Sequence, residues 1–258
     1  MKPIVSSAGT VTNEVFGRAY ERGDRPALVD LHGGLVYSYR RLVTEVTRAA
    51  SGMVRRGARR EQVVGVHVST ACAQTLAVHT VLAAGGVAAP LDPRLSGAEL
   101  AERLSECDAR TLITTPDLAP LSLRAVEESR VRQVIAFGSV VDTIDFEDLL
   151  NLEPAPLPTI DARLQDALVL SGGRRMGQAE LLARMAELDE RVKLTESDVV
   201  LATWKPDDGC DLIALVGLAV LSGALVVAAM SDAADLPGTK HDFGVTVVTG
   251  PGGGFERL

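Results

Sequence analysis

The stretch VVGVHVSTACAQTLAVHTVLAAGGVAAPL, residues 63–91, decides the fold of this chain. It opens with a short apolar run rich in valine (63–68) and continues with an apolar segment of helical length (70–84). After Gly85 and Gly86 a second short run (87–89) follows. Short apolar runs between turn residues are typical of buried strands, and the longer run is typical of a helix. This order predicts a βαβ unit with parallel strands.

The alternation of strands and helices continues on both sides of this unit. The further predicted elements are a β-hairpin over 27–37, helices 38–57, 97–107, 176–192 and 212–221, and strands 111–114, 131–137, 167–171, 199–202, 224–229 and 245–248. The runs around 63–89 have counterparts around 199–229, with Cys72 and Cys210 at matching positions, which indicates an internal repeat. We therefore predict an α/β fold of two stacked αβ subdomains with mainly parallel sheets. Residues 1–150, including the hairpin, form the first subdomain, 151–160 a proline-rich linker and 161–258 the second.

The composition limits the possible functions. The chain has 258 residues, 47% of them hydrophobic, and a net charge of −8. This charge argues against a nucleic-acid partner, because such binding depends on clustered Lys and Arg. Cys72, Cys107 and Cys210 form no C-x-x-C pair, which argues against a disulfide framework and against a thiolate metal site. No signal peptide is recognisable at the N-terminus, so we expect a cytoplasmic protein.

One segment, 212–230, carries no charged residue over a length that could span a bilayer. Ser222 and Gly223 interrupt it, and a β-branched run follows. We therefore expect a buried helix and a buried strand here, with no membrane contact.

The segment 166–182, DALVLSGGRRMGQAELL, holds the candidate binding site. Its pattern predicts a strand, a glycine turn and a helix that restarts near Met176. Glycines allow backbone N–H groups to approach an anion, and a helix N-terminus favours negative charge. The candidate phosphate-binding residues are Ser171, Gly172, Gly173, Arg174 and Arg175. The alternative is an ordinary strand-to-helix turn with two solvated arginines.

Three blocks of sequence resemble one family. They are YSYRRL (37–42), the segment 65–115 with its PLDPRL turn (90–95), and LTESDVVL (194–201) with the strands behind it. In this order they are similar to the N-terminal domain of adenylate-forming enzymes, which include acyl-CoA synthetases and peptide-synthetase adenylation domains. The resemblance implies a fold of two αβ subdomains that once held ATP and an acyl substrate.

The chain departs from this family at the phosphate loop. The family's loop carries several hydroxyl residues and a lysine, whereas only Ser171 and Gly172 match here. Beside the family's acyl pocket this chain has Trp204, Lys205, Asp207 and Asp208, which are weak catalytic candidates. Adjacent aspartates beside a phosphate site repel a triphosphate unless a metal ion bridges them. The family's later segments, including its catalytic lysine, have no counterpart here, so we expect ATP and Mg²⁺ binding to be lost or weak. We expect no metal site.

Three functions remain open. The first is a truncated, degenerate and noncatalytic homologue that binds or scaffolds an acyl-activating enzyme, a carrier protein or another biosynthetic enzyme. The second is an enzyme that reuses the acyl or nucleotide cleft for different chemistry, with a small acyl ligand. The third is one half of a split ligase. A homo-oligomer is possible in each case, and the excess of arginine over lysine is compatible with a high-GC bacterium.

Several other residues have reactive side chains. Cys72 and His79 lie on one face of a predicted helix, where a packed core pair is a better interpretation than a nucleophile and its base. We interpret His67 as a core or edge residue, His241 as exposed, and Lys193 as a charge at a helix C-terminus.

Overall fold

A computed structural model describes residues 9–31, 34–203, 210–229, 236–249 and 255–258. The helices of these residues are α1 Val11–Phe16, α2 Tyr39–Arg55, α3 Ala71–Ala83, α4 Gly97–Glu106, α5 Ala119–Glu127, α6 Phe146–Asn151, α7 Gln178–Val192, α8 Cys210–Ser222 and α9 Leu236–Asp242. The strands are β1 Pro26–Asp30, β2 Leu35–Ser38, β3 Val63–His67, β4 Val87–Pro90, β5 Thr111–Thr114, β6 Gln133–Ala136, β7 Ile144–Asp145, β8 Asp166–Val169, β9 Arg175–Gly177, β10 Val199–Thr203, β11 Leu225–Ala229, β12 Val247–Thr249 and β13 Phe255–Arg257.

The described strands form two sheets. One has the order β7-β6-β5-β3-β4-β8-β9, and the other has the order β13-β12-β10-β11-β1-β2. The first sheet is parallel except for its last pair, β8 and β9, and the second is antiparallel only at its two outer pairs. The predicted α/β class with mainly parallel sheets is confirmed.

The sheets draw their strands from both ends of the chain. The hairpin predicted over 27–37 is present as β1 and β2, but β1 pairs in parallel with β11, so the hairpin belongs to the same sheet as β10 and β11. Conversely, β8 pairs with β4 in the other sheet. Each sheet therefore contains strands from both sides of the proline-rich segment. The predicted division of the chain into two subdomains, with a linker at residues 151–160, stays a prediction.

The main core lies between the two sheets. It combines inward-facing residues of both sheets with α2, α3, α7 and α8. Every residue of α3 is buried, because this helix has neighbours on all sides. Helices α4 and α5 cover the outer face of the seven-stranded sheet through a second cluster. The result is a layered arrangement that leaves the strand ends as the accessible edges.

The charge-free segment that begins at residue 212 is divided between α8 and β11, as the interruption at Gly223 predicted. In the part of the chain that the structure describes, no helix combines the length and the apolar character needed to cross a bilayer.

Candidate functional site

Strands β8 and β9 form a β-hairpin. Leu168 pairs with Met176 and Val169 with Arg175 in an antiparallel register. The turn between the strands is closed by two hydrogen bonds, from Leu170 N to Arg174 O (2.8 Å) and from Gly173 N to Leu170 O (3.1 Å). Gly172 and Gly173 have φ values of +70° and +73°, which side-chain-bearing residues rarely adopt.

This geometry corrects the predicted strand, turn and helix. The chain continues after the turn as β9, and α7 begins at Gln178 with Gly177 as its N-cap. Met176, where the helix was predicted to restart, lies opposite Leu168 in the hairpin and is buried there. The strand β9 thus separates the glycine turn from the N-terminus of α7. The turn therefore does not receive the positive end of the helix dipole as the phosphate-site prediction required.

The two arginines of the turn each have a carboxylate partner. Arg174 lies 2.9 Å from Glu180 of α7, and Arg175 lies 2.9 Å from Asp166 on the opposite strand of the hairpin. Ser171, Gly172 and Gly173 are exposed, and a Cβ added to either glycine would meet no atom within 4 Å. The turn is open, and each arginine is about half exposed and uses only its Nη1 in the ion pair. A phosphate bound here would compete with a carboxylate for each arginine, and an exposed pair of this kind contributes less than about 1 kcal/mol.

A cavity of about 430 Å³ adjoins this hairpin. It is lined by Arg174, Met176, Glu180, Arg184, Glu187, Cys210 and Asp211, together with Ala183. Arg184 Nε and Nη2 lie 2.8 Å and 2.9 Å from the two carboxylate oxygens of Asp211, which is a bidentate pair. Hydrogen bonds to Asp211 and then to Glu187 raise the pKa of Arg184. Among the described lining residues, three carboxylates face two guanidinium groups, so this part of the lining carries a net negative charge.

Arg184, Glu187 and Asp211 were not predicted as site residues. Arg184 and Glu187 lie on α7, and Asp211 lies in the first turn of α8. Only the packing of α7 against α8 brings them together, and no local spacing in the sequence indicates this contact. The predicted candidates Trp204, Lys205, Asp207 and Asp208 lie outside the described residues. Cys210, which follows that segment, has its Sγ 3.5 Å from Met176 Sδ, beside the hairpin.

The hairpin turn lies next to the PLDP turn. Strands β4 and β8 are parallel neighbours, so Leu91 and Ser171 follow the same edge of the sheet and line one small cavity with Cys107. In α/β sheets ligands bind at this edge, beyond the carboxyl ends of the strands. The position of the hairpin is therefore that of a ligand site, while its side chains are not those of a triphosphate site.

Among the residues that the structure describes, those around the hairpin do not match a site for ATP and Mg²⁺. The hairpin supplies one hydroxyl group, that of Ser171, and its two cations are paired with carboxylates. The adjoining cavity adds more negative than positive charge. Among the described residues, no group of three or more His, Cys, Asp or Glu side chains is placed to hold a metal ion. A triphosphate at the hairpin would therefore meet carboxylates as well as the two arginines that those carboxylates hold.

The other reactive side chains are structural. Burial lowers the pKa of His79 to about 3, and its Nδ1 lies 3.1 Å from Thr12 Oγ1. Burial also raises the pKa of the Cys72 thiol, so this residue does not supply a thiolate. His67 is fully buried, with Nδ1 2.9 Å from Ser122 Oγ, while His241 is exposed and Lys193 is the C-cap of α7.

Comparison with known proteins identifies the fold and the family. The solved structures similar to this chain include a long-chain-fatty-acid-CoA ligase (FadD1) from Archaeoglobus fulgidus, with a TM-score of 0.80 and 18% identity over 92% of this chain and 50% of that chain. A putative long-chain-fatty-acid CoA ligase from Rhodopseudomonas palustris has a TM-score of 0.78 and 22% identity over 93% of this chain and 62% of that chain. MbtA of Mycobacterium smegmatis has a TM-score of 0.75 and 23% identity over 92% of this chain and 47% of that chain.

Curated sequences give a more limited match. The nonribosomal peptide synthetase atnA of Emericella nidulans is 31% identical over 110 residues, which are 42% of this chain and 2% of that protein. The chain thus spans a very small part of this relative, and between 47% and 62% of the three structures above.

The family model for AMP-binding enzymes matches residues 15–170. Its match ends at Leu170, immediately before the hairpin turn that departs from the family's phosphate loop. More than half of the chain is covered by this match, and the two-sheet fold agrees with the ligase structures. The chain therefore belongs to the family of AMP-binding enzymes.

Proposed function

We propose that this chain does not adenylate a substrate and instead acts as a cytoplasmic binding or scaffold partner in acyl activation or natural-product biosynthesis. The observation that carries this proposal is the hairpin of residues 166–177, whose two arginines are held by Asp166 and Glu180. Adenylation requires cations that stabilise the charge on a phosphorus under attack. At this hairpin the available cations are paired, and the neighbouring cavity is negative.

The family membership supports the kind of partner. The choice of partner rests on the family membership and the shared fold, which is an analogy at the level of the fold. We therefore propose an acyl-activating enzyme, a carrier protein or another enzyme of the same pathway as its partner. A small acyl ligand is the alternative, and the cavity of about 430 Å³ beside Arg184 and Asp211 is the feature that favours it.

The loss of adenylation is tested by ATP–pyrophosphate exchange and by calorimetric titration with Mg²⁺ and ATP. We expect no exchange with a panel of carboxylic acids. We also expect that any nucleotide binding is the same in the wild type and in the R174Q/R175Q variant. Exchange activity, or nucleotide binding that this variant abolishes, would reject the proposal.

The partner is tested by purifying the tagged full chain from its native cells. An acyl-activating enzyme or a carrier protein recovered in stoichiometric amount supports the scaffold. A recovered chain carrying the rest of a ligase, which together with this chain restores exchange, would show a split ligase instead. A D211N variant that changes product formation in cells without changing partner recovery would favour an enzyme that reuses the cleft.

A further inference from the structure

A group of arginines lies at the edge of the seven-stranded sheet opposite the hairpin turn. Strands β6, β5 and β3 are parallel neighbours, so the residues before each strand meet at one edge. Arg132 precedes β6, Arg110 precedes β5, and Arg60 precedes β3. Arg56 and Arg59 reach the same edge from the end of α2.

These five arginines line a cavity of about 480 Å³. Glu61 is its one carboxylate, and Thr111 and Gln133 add polar groups. Among the described lining residues five arginines face one carboxylate, and Asp108, just outside the lining, offsets one of these charges through Arg110. The remaining excess is positive, in a chain whose net charge is −8. The volume lies within the roughly 300–1,000 Å³ of small-molecule sites.

Four of the five guanidinium groups have no partner in the part of the chain that the structure describes. Arg110 lies 3.0 Å from Asp108, which also pairs with Arg130. Arg56, Arg59, Arg60 and Arg132 form neither an ion pair nor a side-chain hydrogen bond there. This contrasts with the arginines of the hairpin, which are both paired. Like charges gathered in one cavity repel one another, and a bound anion removes that repulsion.

The loop between α2 and β3, which carries Arg59 and Arg60, has a defined conformation. Glu61 adopts a φ of +61°, and its backbone N donates a hydrogen bond of 2.7 Å to Gly85 O. The next residue, Gln62, accepts a hydrogen bond from Val87 N (3.0 Å) through its backbone oxygen. The stem of Arg60 packs close to Gly85, where an added Cβ would lie 3.3 Å from Arg60 Cγ. The backbone that carries Arg59 and Arg60 is therefore fixed to the sheet edge, although the side chains of both arginines are exposed.

We propose that this arginine cavity binds a multiply charged phosphate-type anion. The planar guanidinium fork matches phosphate oxygens in bidentate geometry, and several such groups together favour a phosphate over a singly charged anion. The source of the phosphate group is either a free inorganic ion or the phosphoryl end of a larger molecule such as a nucleotide. The cavity lies at the N-terminal ends of the strands, whereas the hairpin turn follows the C-terminal end of β8, so the two positions are separate.

The test is calorimetric titration of the full chain with inorganic pyrophosphate at low and at physiological ionic strength. We expect wild-type binding that weakens with added salt. The R60Q/R132Q variant removes two unpartnered cations of the cavity, and its affinity is expected to fall by about tenfold or more. The R18Q/R191Q variant removes two exposed arginines outside the cavity and is expected to bind as the wild type. Circular dichroism confirms that the variants are folded.

The outcomes separate this site from the hairpin. No binding by the wild type at millimolar pyrophosphate, or an equal loss in R60Q/R132Q and R18Q/R191Q, would overturn the proposal. Binding that R174Q/R175Q abolishes and R60Q/R132Q leaves unchanged would also overturn it, and would reject the proposed function as well. If R60Q/R132Q weakens pyrophosphate binding as expected, the wild type is also titrated with ADP. Equal affinity of the wild type for pyrophosphate and ADP then indicates a free ion as the ligand. Tighter binding of ADP indicates a phosphoryl group of a larger molecule.

Discussion

Asp198 is a buried carboxylate that ties the C-terminal strands to the core. It accepts hydrogen bonds from Thr246 Oγ1 (2.7 Å), from Thr195 N (2.8 Å) and Oγ1 (2.9 Å), and from Arg257 (3.0 Å). Burial by itself raises the pKa of Asp198, but these hydrogen bonds outweigh it and lower the pKa to about 2. The carboxylate is thus stabilised in its charged form.

The D198N substitution is expected to destabilise the chain by about 2 kcal/mol at pH 7. A carboxyl pKa that is lowered by folding adds stability above its unfolded value near 3.8, and this stability is lost as the pH falls towards about 2. The difference between wild type and variant should therefore shrink between pH 4 and pH 2. Urea unfolding at several pH values measures it. The E102Q variant, which removes an exposed charge of α4, serves as the control and should show no such change. A constant difference at all pH values would contradict this explanation.

Gly52 is required by a close contact of two helices. It lies in α2, and a Cβ at this position would collide with the backbone carbonyl oxygen of Leu149 in α6, with Leu149 Cα 2.8 Å away. Backbone atoms cannot move aside as a flexible side chain can. The contact therefore depends on the absence of a side chain.

We expect the G52A substitution to lower the free energy of unfolding by about 1–3 kcal/mol, because the helices must separate. Gly97, in the first turn of α4, has no atom within 4 Å of an added Cβ. The G97A substitution should therefore leave stability unchanged or raise it by up to about 1 kcal/mol. Thermal or urea unfolding compares the two. A G52A variant as stable as G97A would show that α2 and α6 do not pack as described.

The β8–β9 hairpin is the element in which prediction and structure differ most. Its inward residue Met176 is buried at 4% exposure, while the neighbouring Arg175 is exposed. This alternation is that of a strand with one buried face. The M176A substitution should cost about 2–5 kcal/mol of stability, because it opens a cavity against Leu168.

The R175A variant is the matched comparison. It breaks one exposed ion pair, with Asp166, and should cost less than about 1 kcal/mol. Urea unfolding of both variants measures the contrast. Equal effects of the two substitutions would contradict the burial of Met176 against Leu168 in the hairpin.

The sequence predicted the positions of helices and strands better than it predicted which of them contact one another. The runs 63–67, 71–83 and 87–90 are apolar throughout and bounded by turn or capping residues, so their lengths indicated strand, helix and strand. The helix after Ser38 begins with a Ser cap that the structure confirms through the hydrogen bond from Arg41 N. Strand β9 is only three residues long and is followed at once by α7, so the local pattern showed one helix starting near Met176 and no separate strand. Helix α5 was not predicted at all. The ion pair of Arg184 and Asp211 depends on contacts between helices far apart in the chain, which local patterns do not encode.

Each of the two sheets combines strands from before and after the proline-rich segment, and this links the two halves of the chain. Strand β1 has two neighbours, β2 and β11, and β4 lies between β3 and β8. The strands β8 and β11 both follow the proline-rich segment in the chain. The local pattern showed where most of the longer strands lie and missed β7, β9 and β13. It did not show that each sheet combines strands from both halves of the chain, because strand pairing over long distances leaves no period in the sequence.

A fragment of residues 1–158 should therefore not fold alone. Without β11, β1 loses its parallel partner, and without α8 the buried surface of α3 is exposed to water. We expect the full chain to unfold in one cooperative transition, followed by circular dichroism in urea, and the fragment to show none. A cooperative transition of the fragment would mean that the first 158 residues form an independent domain.

Our central proposal is that this chain, which has the fold of AMP-binding enzymes, does not bind nucleotide phosphates at the β8–β9 hairpin. A crystal of the full chain soaked with a non-hydrolysable acyl-adenylate analogue tests this directly. We predict no ligand density over Ser171, Gly172 and Gly173, with Arg174 still bound to Glu180 and Arg175 still bound to Asp166. Clear density at the turn, with both arginines released from their carboxylates to contact the analogue, would contradict the proposal.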